Sequence, residues 1–184
     1  MPETNIARSS GPSGPPTDTT NTVGLKFNTT DNALSINDGG TVYPVACAGG
    51  FQMAAVTVTT AEVLALNATP KTIVAAPGAG KVIIFHGALV ALDYNSAAYG
   101  GIAAGDQLLF RYTNGSGAAA SAELESDGFL DATADAIRTI KAIYTDITPV
   151  ANSPLVLHMA TGEVTTGNSP LKVKAFYSVI STDL

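Results

Sequence analysis

The chain has 184 residues, with nine Lys and Arg against fifteen Asp and Glu, a formal net charge of −6 and one cysteine. Folded domains commonly run to about 100–200 residues, so this length fits one compact domain with an appendage, and the 46% of hydrophobic residues is enough for a sizeable core. The lone Cys47 excludes an internal disulfide and a multi-thiolate metal cluster, the scattered basic residues offer nucleic acid no cationic stripe, and no run approaches the roughly 20 apolar residues of a membrane span.

Charged residues make up only 13% of the chain, about half the usual share. A surface this neutral loses little ionic solvation when it is covered, which suits a protein packed against partners. The opening MPETNIARSSGPSGPP lacks the apolar core of a secretory signal, so synthesis in a cytoplasm is expected. Without a secretory route, the Asn-x-Ser/Thr triplets at Asn28, Asn67 and Asn114 read as turns.

Residues 1–22 hold Pro2, Pro12, Pro15, Pro16, Gly11 and Gly14 among Ser, Thr and Asn, with Met1, Ile6 and Ala7 as their apolar residues. Such a composition cannot build a core, so an extended arm is expected. Across residues 23–50 the pattern becomes strand-like: Leu25, Phe27 and then Leu34, Ile36 alternate around Asn28–Asn32, and Asn37-Asp38-Gly39-Gly40 precedes Thr41-Val42-Tyr43. These signals predict a small β-meander that docks on the main domain or adds to another chain's sheet.

Over residues 51–184, strand-like runs recur at 53–58, 62–67, 71–75, 81–93, 107–113, 119–125, 137–144, 154–159 and 171–180, divided by turns such as Pro77-Gly78-Ala79-Gly80 and Asn114-Gly115-Ser116-Gly117. Short strands at this spacing, without alternating helices, predict an all-β fold: a β-sandwich, jelly-roll-like domain behind the arm and meander. The near-continuous apolar run from Lys81 to Leu92 predicts a strand buried on both faces, one by the core and one by a neighbouring subunit. Two short helices compete with strands, at Thr60–Leu66 with Thr60 as a cap, and at Asp131–Ala136. At 118–122 the Ala-rich stretch has helix propensity, but the flanking glycines and the Ser-Ala-Glu-Leu-Glu alternation favour a strand.

No motif carries chemistry. Pro77-Gly78-Ala79-Gly80-Lys81 lacks the first glycine and the Ser or Thr of a phosphate loop, having Ala75 and Val82 there, and it feeds a strand where the motif needs a helix. Asp127, Asp131 and Asp135, with Glu123 and Glu125 upstream, do not follow calcium-loop spacing and read as a solvated loop. Were the chain a glycoside hydrolase, Asp127 and Asp131 would be the first carboxylate pair to test. His86 and His158 lie in strand-like runs with no companion nucleophile or carboxylate motif, so packing is their expected role. The expectation is a protein without enzymatic activity, cofactor or metal. The aromatic residues Phe85, Phe110, Tyr112, Tyr144, Phe176 and Tyr177 are expected in core packing and subunit contact.

The run from Ala61 to Ile83, AEVLALNATPKTIVAAPGAGKVI, together with Leu108-Leu109-Phe110-Arg111-Tyr112-Thr113-Asn114-Gly115 and Gly128-Phe129-Leu130, resembles the decoration, or cement, proteins of tailed-bacteriophage heads. The likeness extends over residues 57–181, and Gly24–Gly40 is similar to short β-motifs of phage fibre proteins. The resemblance implies a homotrimer on the virion capsid surface, made in the bacterial host cytoplasm, that bridges major capsid subunits and needs neither nucleic acid nor membrane. On that reading Ile6, Arg8, Pro12, Pro15 and Pro16 form a capsid-contact arm, and Leu25, Phe27, Leu34 and Ile36 supply strand addition. The fibre-like segment implies the alternative of a head-fibre or tail-fibre component that binds a host-surface receptor.

Overall fold

A computed structural model describes residues 5–7, 23–28, 33–38, 41–44, 50–144 and 148–182. Their architecture is all-β, in two compact units, Met1–Gly50 and Phe51–Leu184.

The first unit is one antiparallel sheet of β1 (Asn5–Ala7), β2 (Val23–Asn28), β3 (Ala33–Asp38) and β4 (Thr41–Pro44), in the order β1-β2-β3-β4. Leu25 lies opposite Ile36 and Phe27 opposite Leu34, as the two alternating runs require. The segment expected as an extended arm contains β1, whose Ile6 pairs with Leu25. Arg8, Pro12, Pro15 and Pro16, like Cys47, lie outside the described residues. Because β2 and β3 each have a strand on both sides, Leu25, Phe27, Leu34 and Ile36 occupy interior strands, and the edges open to strand addition are β1 and β4.

The second unit runs β5 (Gln52–Val58), α1 (Thr60–Leu64), β6 (Lys71–Val74), β7 (Lys81–Leu92), β8 (Gln107–Tyr112), β9 (Leu124–Glu125), β10 (Ala136–Lys141), β11 (Leu155–Met159) and β12 (Leu171–Ser181). These strands make two four-stranded antiparallel sheets, ordered β10-β7-β12-β5 and β6-β11-β8-β9. One apolar core joins them: Val58, Phe85, Val90, Leu92, Val173 and Ala175 from the first sheet meet Ile73, Phe110, Tyr112, Leu155, Leu157 and Met159 from the second. The rings of Phe85 and Phe110 stack with centroids 4.7 Å apart, and the buried Tyr112 hydroxyl donates to the Ile83 carbonyl across the sandwich at 2.8 Å.

Segments where propensities competed are settled by capping and crossover. At 62–67 helix wins over strand because Thr59 and Glu62 close a capping box, each side chain accepting from the other's backbone N–H, and Lys71 pairs with Glu62. Residues 119–125 form a ladder only at β9. Upstream the chain crosses between sheets: Ala120 N–H donates to Phe110 O in one sheet while Ala122 N–H donates to Lys141 O in the other, so neither ladder extends. The helix expected at Asp131–Ala136 is absent. A single turn forms earlier, where Phe129 and Leu130 N–H donate to Ser126 O and both side chains are buried, and Asp135 instead ties down a loop by accepting from Tyr94 N–H at 2.8 Å.

Within the chain, the core buries the inner face of strand β7. Inward positions run Ile83, Phe85 and then Ala88, Val90, Leu92, a change of phase across His86 and Gly87. Phe176 lies opposite Gly87 and its neighbour Tyr177 opposite Phe85, so His86 is an extra residue in a β-bulge. Gly87 has φ of +145°, and a Cβ there would come within 3.3 Å of Ile140 O. A bulge thus swaps the faces midway along the apolar run, and of the outward apolar positions Val82 is buried while Leu89 is exposed.

Phe110→Ala is expected to cost about 3–5 kcal/mol through lost burial and a cavity. Tyr112→Phe is expected to cost about 1–3 kcal/mol by leaving the Ile83 carbonyl unpaired. Chemical denaturation of the two variants beside the parent checks both.

Candidate interaction surface

The two outer faces of the sandwich differ. On the β6-β11-β8-β9 sheet, the outward Leu109, Val156 and His158 are buried because loops of the same chain cover them. Arg111 Nη1 donates to Gly117 O at 2.8 Å, His158 Nε2 lies 3.1 Å from Asn67 O, and a Cβ on Gly115 would meet His158 Nε2 at 2.8 Å. This face is closed.

The β10-β7-β12-β5 sheet is open. The strand registers align Lys141, Gly87, Phe176 and Met53 in one row and Thr139, Leu89, Lys174 and Ala55 in the next. Its large apolar side chains face solvent: Met53 is 55% exposed, Ile137 65%, Phe51 79% and Tyr144 80%. A contiguous apolar group of this size on an otherwise polar exterior marks an interaction surface. The charges on this face are Lys141, Lys172 and Lys174, and among its described residues there is no carboxylate. Asp93, Asp106, Glu125, Asp127, Asp131 and Asp135 lie instead on and beside the loops at the end where β7 finishes. The surface is therefore apolar with Lys174 set between Leu89 and Ala55 and Lys141 on the edge strand, while Lys172 pairs with Asp93 at 2.7 Å.

The bulge shapes a shallow depression on this face, lined by His86, Leu89, Thr139, Lys141, Tyr144 and Phe176 among others. His86 Nε2 and Ser178 Oγ are 2.7 Å apart, and the His86 ring packs on Phe51 with centroids separated by 4.4 Å. A serine and a histidine thus meet although no motif linked them. Among the described residues no carboxylate hydrogen-bonds His86, so the orienting third group of a nucleophilic triad is missing from the pair.

The acidic candidates serve their own loops. Asp106 Oδ2 accepts from Ala103 N–H and Glu125 Oε1 from Gly105 N–H, each at 2.8 Å. Asp131 Oδ1 is buried without a hydrogen-bond partner, while Asp127 is exposed. Among the described residues no cluster of three His, Cys, Asp or Glu side chains has metal-binding geometry, and no helix is long and apolar enough to cross a membrane. Asn67 and Asn114 work as turn residues: Asn67 Nδ2 donates to Met159 O, and Asn114 Oδ1 accepts from Ser116 N–H. No protein-family model, curated protein or solved structure matches this chain.

Sequence periodicity did not single out Phe51, Met53, Leu89 and Ile137 as a group. The available signal is that β5 and β10 are apolar at positions of both parities, with Met53 beside Ala54 and Ile137 beside Ala136. That pattern says that both faces of a strand are to be covered without saying by what.

Burial pushes the His158 imidazole below its ordinary value, opposed by its hydrogen bond to the Asn67 carbonyl and aided by nearby Arg111. The folded state therefore binds the proton less readily than the unfolded chain, and the unfolded chain gains from protonation. Full stability holds above about pH 6.5, the unfolded value, and declines as pH falls toward the lower folded value. Thermal melts between about pH 7.5 and about pH 5.5 should show the parent losing more stability than His158→Gln.

Proposed function

We propose that this chain is a structural virion protein that binds the outside of a tailed-phage capsid and stabilises it by bridging major capsid subunits, as a homotrimer. The observation that carries the reading is the open outer face of the β10-β7-β12-β5 sheet, with Phe51, Met53, Ile137 and Tyr144 exposed beside a second face that the chain closes for itself. A single chain that covers one outer face and leaves the other apolar has a partner for the second.

Strand order supports a jelly roll. Numbering the strands of the second unit one to eight from β5 to β12, skipping the helix, the sheets read 6-3-8-1 and 2-7-4-5. Strands one and eight, two and seven, three and six, and four and five are neighbours, the adjacency produced by rolling a long antiparallel hairpin of four strand pairs into a sandwich. Viral capsid proteins and lectins both use that roll. The unpaired charges of Lys141 and Lys174 on this face suit a neutral or acidic capsid exterior. The first unit, with its open edges β1 and β4 and the Pro-rich residues after β1, supplies the arm that spreads over a neighbouring subunit by strand addition. Several weak contacts per oligomer then act together, and binding only to the assembled shell stabilises that shell by mass action.

One feature favours the rival fibre reading: the depression at the bulge has Phe51, His86 and Tyr144 around it, side chains suited to gripping a small receptor group. Negative-stain imaging with a tagged chain separates the two, since cement labels the whole shell and a tail fibre labels one vertex.

Co-sedimentation with expanded phage shells tests the proposed surface. Ile137→Lys and Leu89→Lys should each weaken binding by at least about tenfold, as expected of buried apolar anchors, with an unchanged melting temperature because both side chains are exposed. Undiminished binding by both would refute the assignment of this face to the shell. Removing residues 1–22 should leave a folded oligomer with lost or sharply weaker shell binding, and full binding by the truncated chain would remove the arm from the mechanism.

A further inference from the structure

A sheet edge presents unpaired N–H and C=O groups, and soluble proteins blunt such edges with charge, proline, shortness or a covering loop. The second unit has four edges. Strand β9 has two residues, and β6 has four and begins with Lys71. Strand β10 carries Arg138 and Lys141, and its end is covered where Ala122 N–H donates to Lys141 O and Ser121 pairs with Ala142. The remaining edge, β5, is seven residues of Gln-Met-Ala-Ala-Val-Thr-Val, without charge, proline or glycine. It pairs with β12 on one side, and on the other it makes no backbone hydrogen bond with a described residue. Along it Gln52, Met53, Ala55 and Thr57 are exposed.

We infer that β5 is a self-pairing edge, at which two copies of this chain join antiparallel about a two-fold axis into one continuous eight-stranded sheet. A second copy fits for three reasons. The strand carries no charge, so its copy meets it without repulsion. A register centred on Ala55 sets Gln52 opposite Val58, Met53 opposite Thr57 and Ala54 opposite Val56, so all seven positions pair and each side chain meets one on its own face. The residue at the axis, Ala55, is small and points outward. The pairing leaves the exposed Phe51 and Met53 of both copies on one outer face of the joined sheet, still open to solvent. This contact is separate from shell binding and doubles whatever assembly the other contacts make.

Ala55→Glu places two like charges opposite each other at the axis, while within one copy the new carboxylate sits opposite Lys174 at an exposed position. In sedimentation equilibrium the parent chain should have twice the mass of the variant, and at a dilution that separates the copies the two should melt at the same temperature. Hydrogen exchange on the parent needs no substitution: the β5 amides that do not bond to β12 should be protected at high concentration and lose protection on dilution. Equal masses for parent and variant would overturn the inference, as would protection of those amides at every dilution, which marks a strand of the same chain in the groove. Equal masses with shell binding lost in the variant would assign β5 to a capsid strand and equally overturn it.

Discussion

Everything in the second unit depends on the closure of two sheets on each other at the Phe85–Phe110 stack. The stack and its surrounding aliphatic layer remove water from the Tyr112 hydroxyl, which must then find the Ile83 carbonyl on the opposite sheet. Burial raises the Tyr112 hydroxyl above its ordinary value and keeps it a neutral donor. Once these inner faces are committed, each remaining side chain has only an outer face or a loop to occupy. The contrast between the closed and open outer faces follows from where the loops have length. Residues 113–123 reach over β8 and lay Gly115 and Gly117 on His158 and Arg111, while on the other side His86 and Gly87 form a bulge over which no loop of the described residues closes.

That asymmetry connects packing to function. Apolar side chains at Phe51, Met53, Ile137 and Tyr144 bring little benefit in an isolated chain, since more than half of each stays open to water in the folded state. Each becomes favourable only when a second surface removes that water, at about 25 cal/mol per Å² of apolar area. Lys141 and Lys174 are the charges this face carries without an acidic partner on the same face, since Lys172 pairs with Asp93. The carboxylates lie on and near loops at one end, where Asp106, Glu125 and Asp135 accept from backbone N–H groups and Asp93 pairs with Lys172.

Much of the strand layout was legible because alternation and turn chemistry agreed. Pro77-Gly78-Ala79-Gly80 feeds β7 through two glycines at positive φ, and the long runs at 81–93, 107–113 and 171–180 all hold strands. What stayed hidden depends on contacts distant in sequence. The Ala-rich stretch at 118–122 is divided between two sheets, which no local propensity encodes. Within Lys81–Leu92 a one-residue bulge exchanges the faces at His86, which the apolar run alone does not reveal. Asp131–Ala136 holds good helix spacing but its last carboxylate is taken by the backbone of Tyr94, forty-one positions away. Ser178 is the partner of His86 only because β12 and β7 are neighbours. For the interaction surface, composition foretold a covered exterior, and only the registers say which side chains share it.

The central claim is that this outer face is exposed in the free chain and buried in the assembled particle. Covalent footprinting by mass spectrometry, on the purified chain and on virions that carry it, measures this directly at Phe51, Met53, Ile137 and Tyr144. The account predicts strong labelling of all four in the free chain and marked protection in the particle, with Asp127 labelled in both. Equal labelling of the four aliphatic and aromatic positions in the two samples would contradict it.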